Sequence, residues 1–268
     1  MTAAIWVVEV HTIRIAALPF IGAGAIILGG LLALAGARLL RLSPRQTGAF
    51  VPCGAFTNLG SIGALVCYFY LGEAGFALVP IYKLLEELTY YTMGFPIAKY
   101  YSTVCGDVDS TAERLRALGR DPFIRVTLTS ILIGIVLNLS GLPRPAFFAA
   151  LNAVFIPLGT GLLLVSIGLA LRFSRMKRYK GPCAAVIGIK FLAVPVAAVG
   201  VAYCLGYGSI DHGLPLKVVL ILSAMPVAFT ALIPPSIYDL DLDLANACWF
   251  ATTSALVVVL PLLLLLTK

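Results

Sequence analysis

Long apolar stretches recur along the whole chain, separated by short segments that contain charged residues, glycine and proline. A membrane-spanning helix needs about 20 consecutive, mostly apolar residues, and eight stretches meet this requirement. To within a few residues, the predicted spans are 15–37, 48–70, 75–98, 123–141, 146–171, 183–205, 214–236 and 244–266. The pattern therefore predicts an all-α polytopic membrane protein.

Composition agrees with this prediction. Of the 268 residues, 60% are hydrophobic and 12% are charged, and the mean hydropathy is +1.01. Soluble domains typically contain about 45–50% apolar and about 25% charged residues, so a single aqueous core cannot bury this chain. The six cysteines contain no Cys-x-x-Cys pair and lie mostly within apolar runs, so they predict neither a disulfide framework nor a metal site.

Basic residues are unevenly distributed over the connections between the predicted spans. Thirteen Lys and Arg residues fall on one side of the membrane and four on the other, and the positive-inside rule makes the richer side cytoplasmic. The net charge of +7 is therefore explained by topology rather than by nucleic-acid binding. We predict a multi-pass protein of the cell inner (plasma) membrane, with loop 102–121 in the cytoplasm and the C-terminus outside.

Loop 102–121 divides the chain into two apolar halves, and transporters are often built from inverted repeats. In each half, the next-to-last span is interrupted by proline: 48–70 contains Pro52, and 214–236 contains Pro226. The two halves also enter the membrane from opposite sides, as an inverted repeat requires.

The two halves differ in length. Residues 1–101 are predicted to form an incomplete N-terminal repeat of three spans, and residues 122–268 form a C-terminal inverted repeat of five. The parent architecture is therefore predicted to have ten spans, of which this chain lacks the first and most of the second.

A helix break at mid-membrane exposes backbone groups that each cost several kcal/mol in hydrocarbon unless they are buried in protein or line a cavity. Matching breaks in two halves point to a substrate site near the bilayer centre, where the N-terminus of a half-helix favours an anion. Ordinary kinks, repaired by neighbouring helices, are the alternative interpretation. The candidate substrate-binding residues are Pro52, Thr57, Asn58, Ser61, Pro226 and Thr230.

Asn58 is the most informative of these residues. Its amide can donate to a carboxylate and accept from a hydroxyl group, which suits a small organic acid. A hydrogen bond that only joins two helices is the alternative role for this side chain.

Ionisable residues inside predicted spans are hypotheses of function. Counted from opposite faces at 1.5 Å per residue, Glu86 lies about 18 Å deep and Lys190 about 12 Å deep. In a hydrocarbon layer about 30 Å thick the two depths coincide, which predicts a Glu86–Lys190 ion pair. The pair either takes part in coupling or only sets the helix register, and Lys83 is expected to extend to the membrane surface.

Several short segments, in this order and spacing, resemble the auxin efflux carrier family of membrane transporters. That family includes plant auxin exporters and a branch of bacterial permeases proposed for malate and malonate. The segments are CGAFTNLGSIG (53–63), LGE (71–73), DPF (121–123), GLP (141–143), IPLG (156–159), SIG (166–168), AMP (224–226) and DLDLA (241–245).

The resemblance implies a ten-helix fold in which two broken helices cross, and an elevator-like movement of a transport domain against a scaffold. It also implies a homodimer, and substrate contacts at Asn58 and at the backbone around Pro52 and Pro226. The Arg-Asn pair that is usual in the first crossover of the family is Thr57-Asn58 here. The missing spans correspond to the scaffold and its dimer contact.

Together these observations predict a secondary transporter, or permease, that carries a small organic anion by alternating access. No Walker, Gly-x-Ser-x-Gly or His-Glu-x-x-His motif is present, so we expect neither an enzyme nor a cofactor. The expected partners are the anion, the lipid bilayer and a second copy of the chain. Two alternatives stay open: a sodium-coupled anion symporter of similar crossed-helix fold, and a truncated, transport-inactive membrane protein.

Overall fold

The computed structural model describes residues 13–102, 129, 132–134, 136–169 and 176–268. These residues are almost entirely helical, and the β pairing within them is a single antiparallel bridge between Thr57 and Val227. Four described helical segments are long and apolar enough to cross a membrane: Ile15–Leu39, Leu59–Tyr101, Lys180–Cys204 and Leu242–Thr267.

The described residues thus form the helices of an all-α membrane protein, as predicted. The count of eight spans, the inverted repeat and the orientation in the membrane stay predictions. Nearly all of loop 102–121 and about half of the predicted span 123–141 lie outside the described residues.

Residues 13–102 contain five α-helices. They are α1 (Leu18–Leu39), α2 (Pro44–Ala55), α3 (Ala64–Tyr82), α4 (Glu86–Thr89) and α5 (Phe95–Tyr101). A 3-10 turn at Ile13–Ala17 precedes α1, and π turns at Leu59–Gly63 and Tyr90–Gly94 precede α3 and α5.

Residues 147–169 and 176–268 contain six more α-helices. They are α6 (Phe147–Leu169), α7 (Lys180–Gly188), α8 (Val194–Cys204), α9 (Leu214–Ser223), α10 (Ile233–Ile237) and α11 (Leu242–Thr267). A π turn at Ile189–Ala193 joins α7 to α8. The 3-10 turns are Met176–Tyr179, Tyr207–Ser209, Asp211–Gly213 and Phe229–Leu232.

Local sequence explains where α2 begins. The Ser43 hydroxyl accepts from the Gln46 backbone N–H at 3.3 Å, and the Gln46 side chain accepts from the Ser43 N–H at 3.1 Å. This capping box satisfies two backbone donors, and Pro44 occupies the first helical position, where it removes no hydrogen bond. The helix therefore starts before residue 48, the predicted beginning of the span.

Helices α1 and α2 pack with their backbones in close approach. A Cβ atom on Gly29 of α1 would overlap the carbonyl oxygen of Gly54 in α2, and a Cβ on Gly54 would overlap Ala33. Small residues at helix contacts are typical of membrane bundles, where close van der Waals packing replaces the aqueous hydrophobic effect.

Buried side chains form two clusters, and the breaks in the two proline-containing spans lie between them. Phe56 and Val227 belong to the cluster built around α2 and α11. Leu59 and Met225 belong to the cluster built around α3 and α9. The chain therefore passes from one cluster to the other at both breaks.

A polar turn connects the beginnings of α2 and α11. Asp241 caps α11, because its Oδ1 accepts from the Leu244 N–H at 3.0 Å, and the Tyr179 hydroxyl donates to the same carboxylate at 3.0 and 3.1 Å. Burial and this hydrogen bond raise the pKa of Tyr179 to about 12. The Asp241 N–H also faces the carbonyl oxygen of Arg45 at 3.4 Å.

A second polar contact joins the kink in α3 to the beginning of α6. Gly72 has φ of 70° and ψ of −162°, a conformation that glycine adopts readily. The next residue, Glu73, accepts from both guanidinium nitrogens of Arg144, the second at 3.0 Å, and from the Asn152 amide at 2.6 Å. Bidentate pairing of this kind is geometrically specific, so it orients α6 against α3.

We predict that Gly29→Ala lowers the thermal stability of the purified protein in detergent. The added methyl group would overlap backbone atoms of α2, and overpacking typically costs about 1–3 kcal/mol. The measurement is a thermal unfolding curve.

The matched control is Gly24→Ala in the same helix, because a Cβ there would meet no atom within 4 Å. Alanine is the better helix former by roughly 0.5–1 kcal/mol, so this variant should unfold at the same temperature or a higher one. Equal melting temperatures for the two variants would contradict the packing at Gly29.

Candidate functional site

The two helix breaks meet and complete each other's backbone hydrogen bonds. The Asn58 N–H, after α2, donates to the Pro226 carbonyl oxygen at 2.8 Å. The Ala228 N–H, after α9, donates to the Phe56 carbonyl oxygen at 3.0 Å. Backbone groups that leave a helix at membrane depth need such partners, so each break is stabilised by the other. We call this meeting point the crossover.

The first break lies one helical turn beyond the predicted proline. Pro52 stays inside α2, where its carbonyl oxygen accepts from the Phe56 N–H at 2.9 Å. Proline removes a hydrogen bond to the preceding turn, so the residues after it can remain helical. Pro226, in contrast, lies in the second break itself, where the neighbouring Val227 N–H donates to the Thr252 hydroxyl of α11 at 3.2 Å.

Asn58 caps the half-helix that follows the first break. Its side-chain oxygen accepts from the Ile62 N–H at 3.1 Å and from the Ser61 hydroxyl. Because a backbone N–H can only donate, the atom that faces Ile62 must be the amide oxygen. The Asn58 NH2 group points away from this cap and has no protein partner within the described ranges. The residue as a whole is only 5% exposed, so the amide lies at a largely buried position of the crossover.

Lys190 reaches the crossover from the π turn between α7 and α8. Its Nζ donates to the Ala55 carbonyl oxygen at 3.0 Å and to the Thr57 hydroxyl oxygen at 2.7 Å. The side chain is completely buried. The basic group of Lys190 therefore lies directly against the first break, and its partner Thr57 is one residue from Asn58.

Glu86 pairs with Lys83, with 3.2 Å between Nζ and Oε2. The predicted Glu86–Lys190 ion pair is not formed by the described side chains, because Lys83 lies three residues before Glu86 and Lys190 is held at α2. The Lys83 side chain is 15% exposed, so it is largely enclosed by its neighbours. A Cβ placed on Gly60 would lie 3.2 Å from Lys83 Nζ, so the ion pair flanks the half-helix after the first break.

Thr230 takes part in this region through its backbone. Its carbonyl oxygen accepts from the Tyr90 hydroxyl at 2.8 Å, while its side chain is exposed. The Tyr90 ring packs edge to face on Phe56 with centroids 4.9 Å apart. Tyr90 thereby connects the two breaks from the π turn that precedes α5.

Of the predicted site residues, the structure thus brings together Thr57, Asn58, Ser61, Pro226 and Lys190, with Thr230 joined through its carbonyl. Sequence analysis missed the roles of Lys83, Tyr90 and Thr252. The three-residue spacing of Lys83 and Glu86 is a signal for their pairing, whereas nothing local marks Tyr90 or Thr252, since their partners are far away in the sequence.

A cavity of about 420 Å³ opens at the polar turn, where α2 and α11 begin, and contains none of the predicted substrate residues. The Arg45–Asp239 ion pair beside it has side-chain exposures of 47% and 75%. Ion pairs that are this exposed contribute little stability. The polar lining residues of the cavity are Ser43, Arg45, Gln46, Tyr179, Asp241 and Asp243.

Comparison with known proteins points to transport. No protein-family model matches the chain. It is 27% identical over 238 residues to a protein of Methanothermobacter thermautotrophicus described as an uncharacterized transporter, and the match covers 88% of this chain and 73% of that protein. The chain is therefore similar to a transporter, and its long apolar helices support a multi-pass membrane protein.

We predict that separating Lys83 from Glu86 destabilises the protein. Removing one partner of a fully buried ion pair costs about 3–5 kcal/mol, and these side chains retain 15% and 11% exposure, so we expect a somewhat smaller loss. Lys83→Met and Glu86→Gln should each lower the melting temperature in detergent.

The control is the double variant Lys83→Met/Glu86→Gln, which leaves no unpaired charge and should melt above the less stable single variant. If the two losses simply add in the double variant, the side chains are not coupled.

Proposed function

We propose that this chain is a secondary transporter that binds a small organic anion at the crossover and carries it by alternating access. The observation that supports this most directly is the Asn58 amide, which lies where two broken helices meet: its oxygen caps the half-helix, and its NH2 group has no hydrogen-bond partner among the described residues. Similarity to a transporter supports the same class of function.

Electrostatics at the crossover favours an anion over a cation or a neutral solute. The Lys190 ammonium group contacts Thr57, next to Asn58. The half-helix that begins at Leu59 also directs the positive end of its dipole toward Asn58. A carboxylate between these groups would receive a hydrogen bond from the Asn58 amide and would face a fixed positive charge.

Alternating access requires a site that can be reached from one side and then from the other. Where the breaks meet, two backbone hydrogen bonds connect the two chain segments. The proposal is that the segments on the two sides of the crossover shift relative to each other around the bound anion. The helices adjoining the breaks, α2, α3, α9 and α10, are the elements that would carry this change.

We predict that Asn58→Asp abolishes uptake of a small organic anion by proteoliposomes, with radiolabelled malate and malonate as the first probes. Aspartate has the same shape and keeps an oxygen to cap Ile62, but it replaces the free NH2 donor with a carboxylate oxygen. Losing a hydrogen bond to a charged group costs about 1.5–3 kcal/mol, which corresponds to a loss of at least tenfold.

The matched control is Asn246→Asp in α11, which makes the same chemical change at a half-buried position away from the crossover and should keep wild-type uptake. Unchanged uptake by Asn58→Asp would remove Asn58 from the site. If the wild-type protein takes up none of a panel of small carboxylates, the transport-inactive alternative replaces the proposal.

A further inference from the structure

Lys190 is the one charged side chain with no exposed surface among the residues that the structure describes. An unpaired ammonium group in an apolar core costs several kcal/mol, so its surroundings must offset this cost. The neighbouring residues of the π turn, Ile189–Ala193, are apolar apart from Lys190 itself. The direct contacts that offset this cost are the oxygen atoms that the side chain reaches across the bundle, and the Glu86 carboxylate adds a more distant electrostatic contribution.

Both of these oxygens belong to the first break. Ala55 is the last residue of α2, and its carbonyl is one of those that a helix end leaves without a partner. The Thr57 hydroxyl lies two residues further along. The negative end of the α2 dipole is at the same place. A carbonyl at the end of a half-helix and a nearby oxygen are the kind of group that coordinates Na⁺ in transporters with broken helices.

The π turn explains how a lysine can occupy this position. One extra residue in a helical turn changes the direction of the side chains around it, and such turns are frequent at functional sites. Lys190 is the second residue of the turn, and its Nζ lies within 3.0 Å of both oxygens. Two of its three N–H donors are used there.

We propose that the Lys190 ammonium group is a built-in cation that fills the cation site at the end of α2, so that the crossover binds its anion without Na⁺. This inference rests on the proposed function for its transport consequence, because an anion carrier needs a compensating positive charge. The binding of Lys190 to the two oxygens does not depend on the proposed function, since these groups are already in contact in the protein without substrate.

The first experiment measures thermal unfolding of the purified protein in detergent, in chloride salts of sodium, ammonium, methylammonium or choline at equal ionic strength. The wild-type protein should melt at the same temperature in sodium and in choline, because Lys190 already occupies the site. A clear stabilisation of the wild type by sodium over choline would overturn the inference, and this measurement requires no variant.

Lys190→Ala empties the site and should melt at a lower temperature in choline. Ammonium, methylammonium or sodium should restore a substantial part of the loss, because these cations are small enough to reach the Ala55 and Thr57 oxygens. Lys190→Met fills the space with an apolar chain and should be destabilised without a response to any cation. A Lys190→Ala variant that is as stable as the wild type, or that responds to no cation, would count against the inference.

Two further variants keep the result interpretable. Lys217→Ala removes a half-buried lysine of α9 and should show no cation dependence. Lys190→Gln keeps a donor for the two oxygens and covers the case in which Lys190→Ala does not fold. Because Lys190→Gln leaves no room for an ion, its stability should be the same in every salt, and sodium-specific stabilisation would contradict the assignment.

Transport separates this inference from the proposed function. Wild-type uptake of the anion should be equal with sodium or choline outside the proteoliposomes. Anion uptake that requires sodium would keep the proposed transport function and overturn the role of Lys190. Suppose instead that the wild type takes up no anion, that its melting temperature is the same in every salt, and that cations stabilise Lys190→Ala. That result would keep the role of Lys190 and overturn the proposed transport function.

Discussion

Backbone groups that leave a helix inside an apolar bundle must find new partners, and this constraint organises the centre of the protein. At the crossover, Asn58 and Ala228 donate to carbonyl oxygens of the opposite break. Neither break could persist alone inside the apolar bundle, since every unpaired buried backbone group would cost several kcal/mol. The positions of α2, α3, α9 and α10 follow from this exchange, because each of them ends or begins beside it.

The remaining polar groups at the crossover are satisfied by side chains. Asn58 caps the half-helix after the first break with its oxygen, and Thr252 of α11 accepts from the second. Lys190 covers the carbonyl at the end of α2. The outcome is a buried polar centre with a basic group, Lys190, at its edge, in a protein that is similar to a transporter.

Dense packing holds this centre in place. Gly54 lies one residue before the end of α2, and its contact with Gly29 brings α1 against the helix that carries the first break. The aromatic ring of Tyr90 fills the space beside Phe56, while its hydroxyl binds the second break. Because packed interiors resist small changes in volume, the distances at the crossover are set by these contacts as well as by hydrogen bonds.

Several features of the site could be predicted because they depend on local sequence. The breaks after α2 and α9 lie within the two spans that proline marked, and Thr57 and Asn58 lie next to the first of them. The pairing of Glu86 could not be obtained from depth along the membrane normal, which says nothing about direction around a helix axis. Lys83 was close enough in sequence to compete, and it is the residue that Glu86 contacts.

The sequence alone determined that the chain is an all-α membrane protein, because the lengths of apolar runs and the scarcity of charge are local properties that a bilayer selects directly. Capping residues such as Ser43 likewise act within one helical turn. Only the tertiary structure decided which groups satisfy the breaks and where Lys190 binds. The Lys190 contacts join residues more than 130 positions apart, and the geometry of packing, rather than any local pattern, brings them within hydrogen-bond distance.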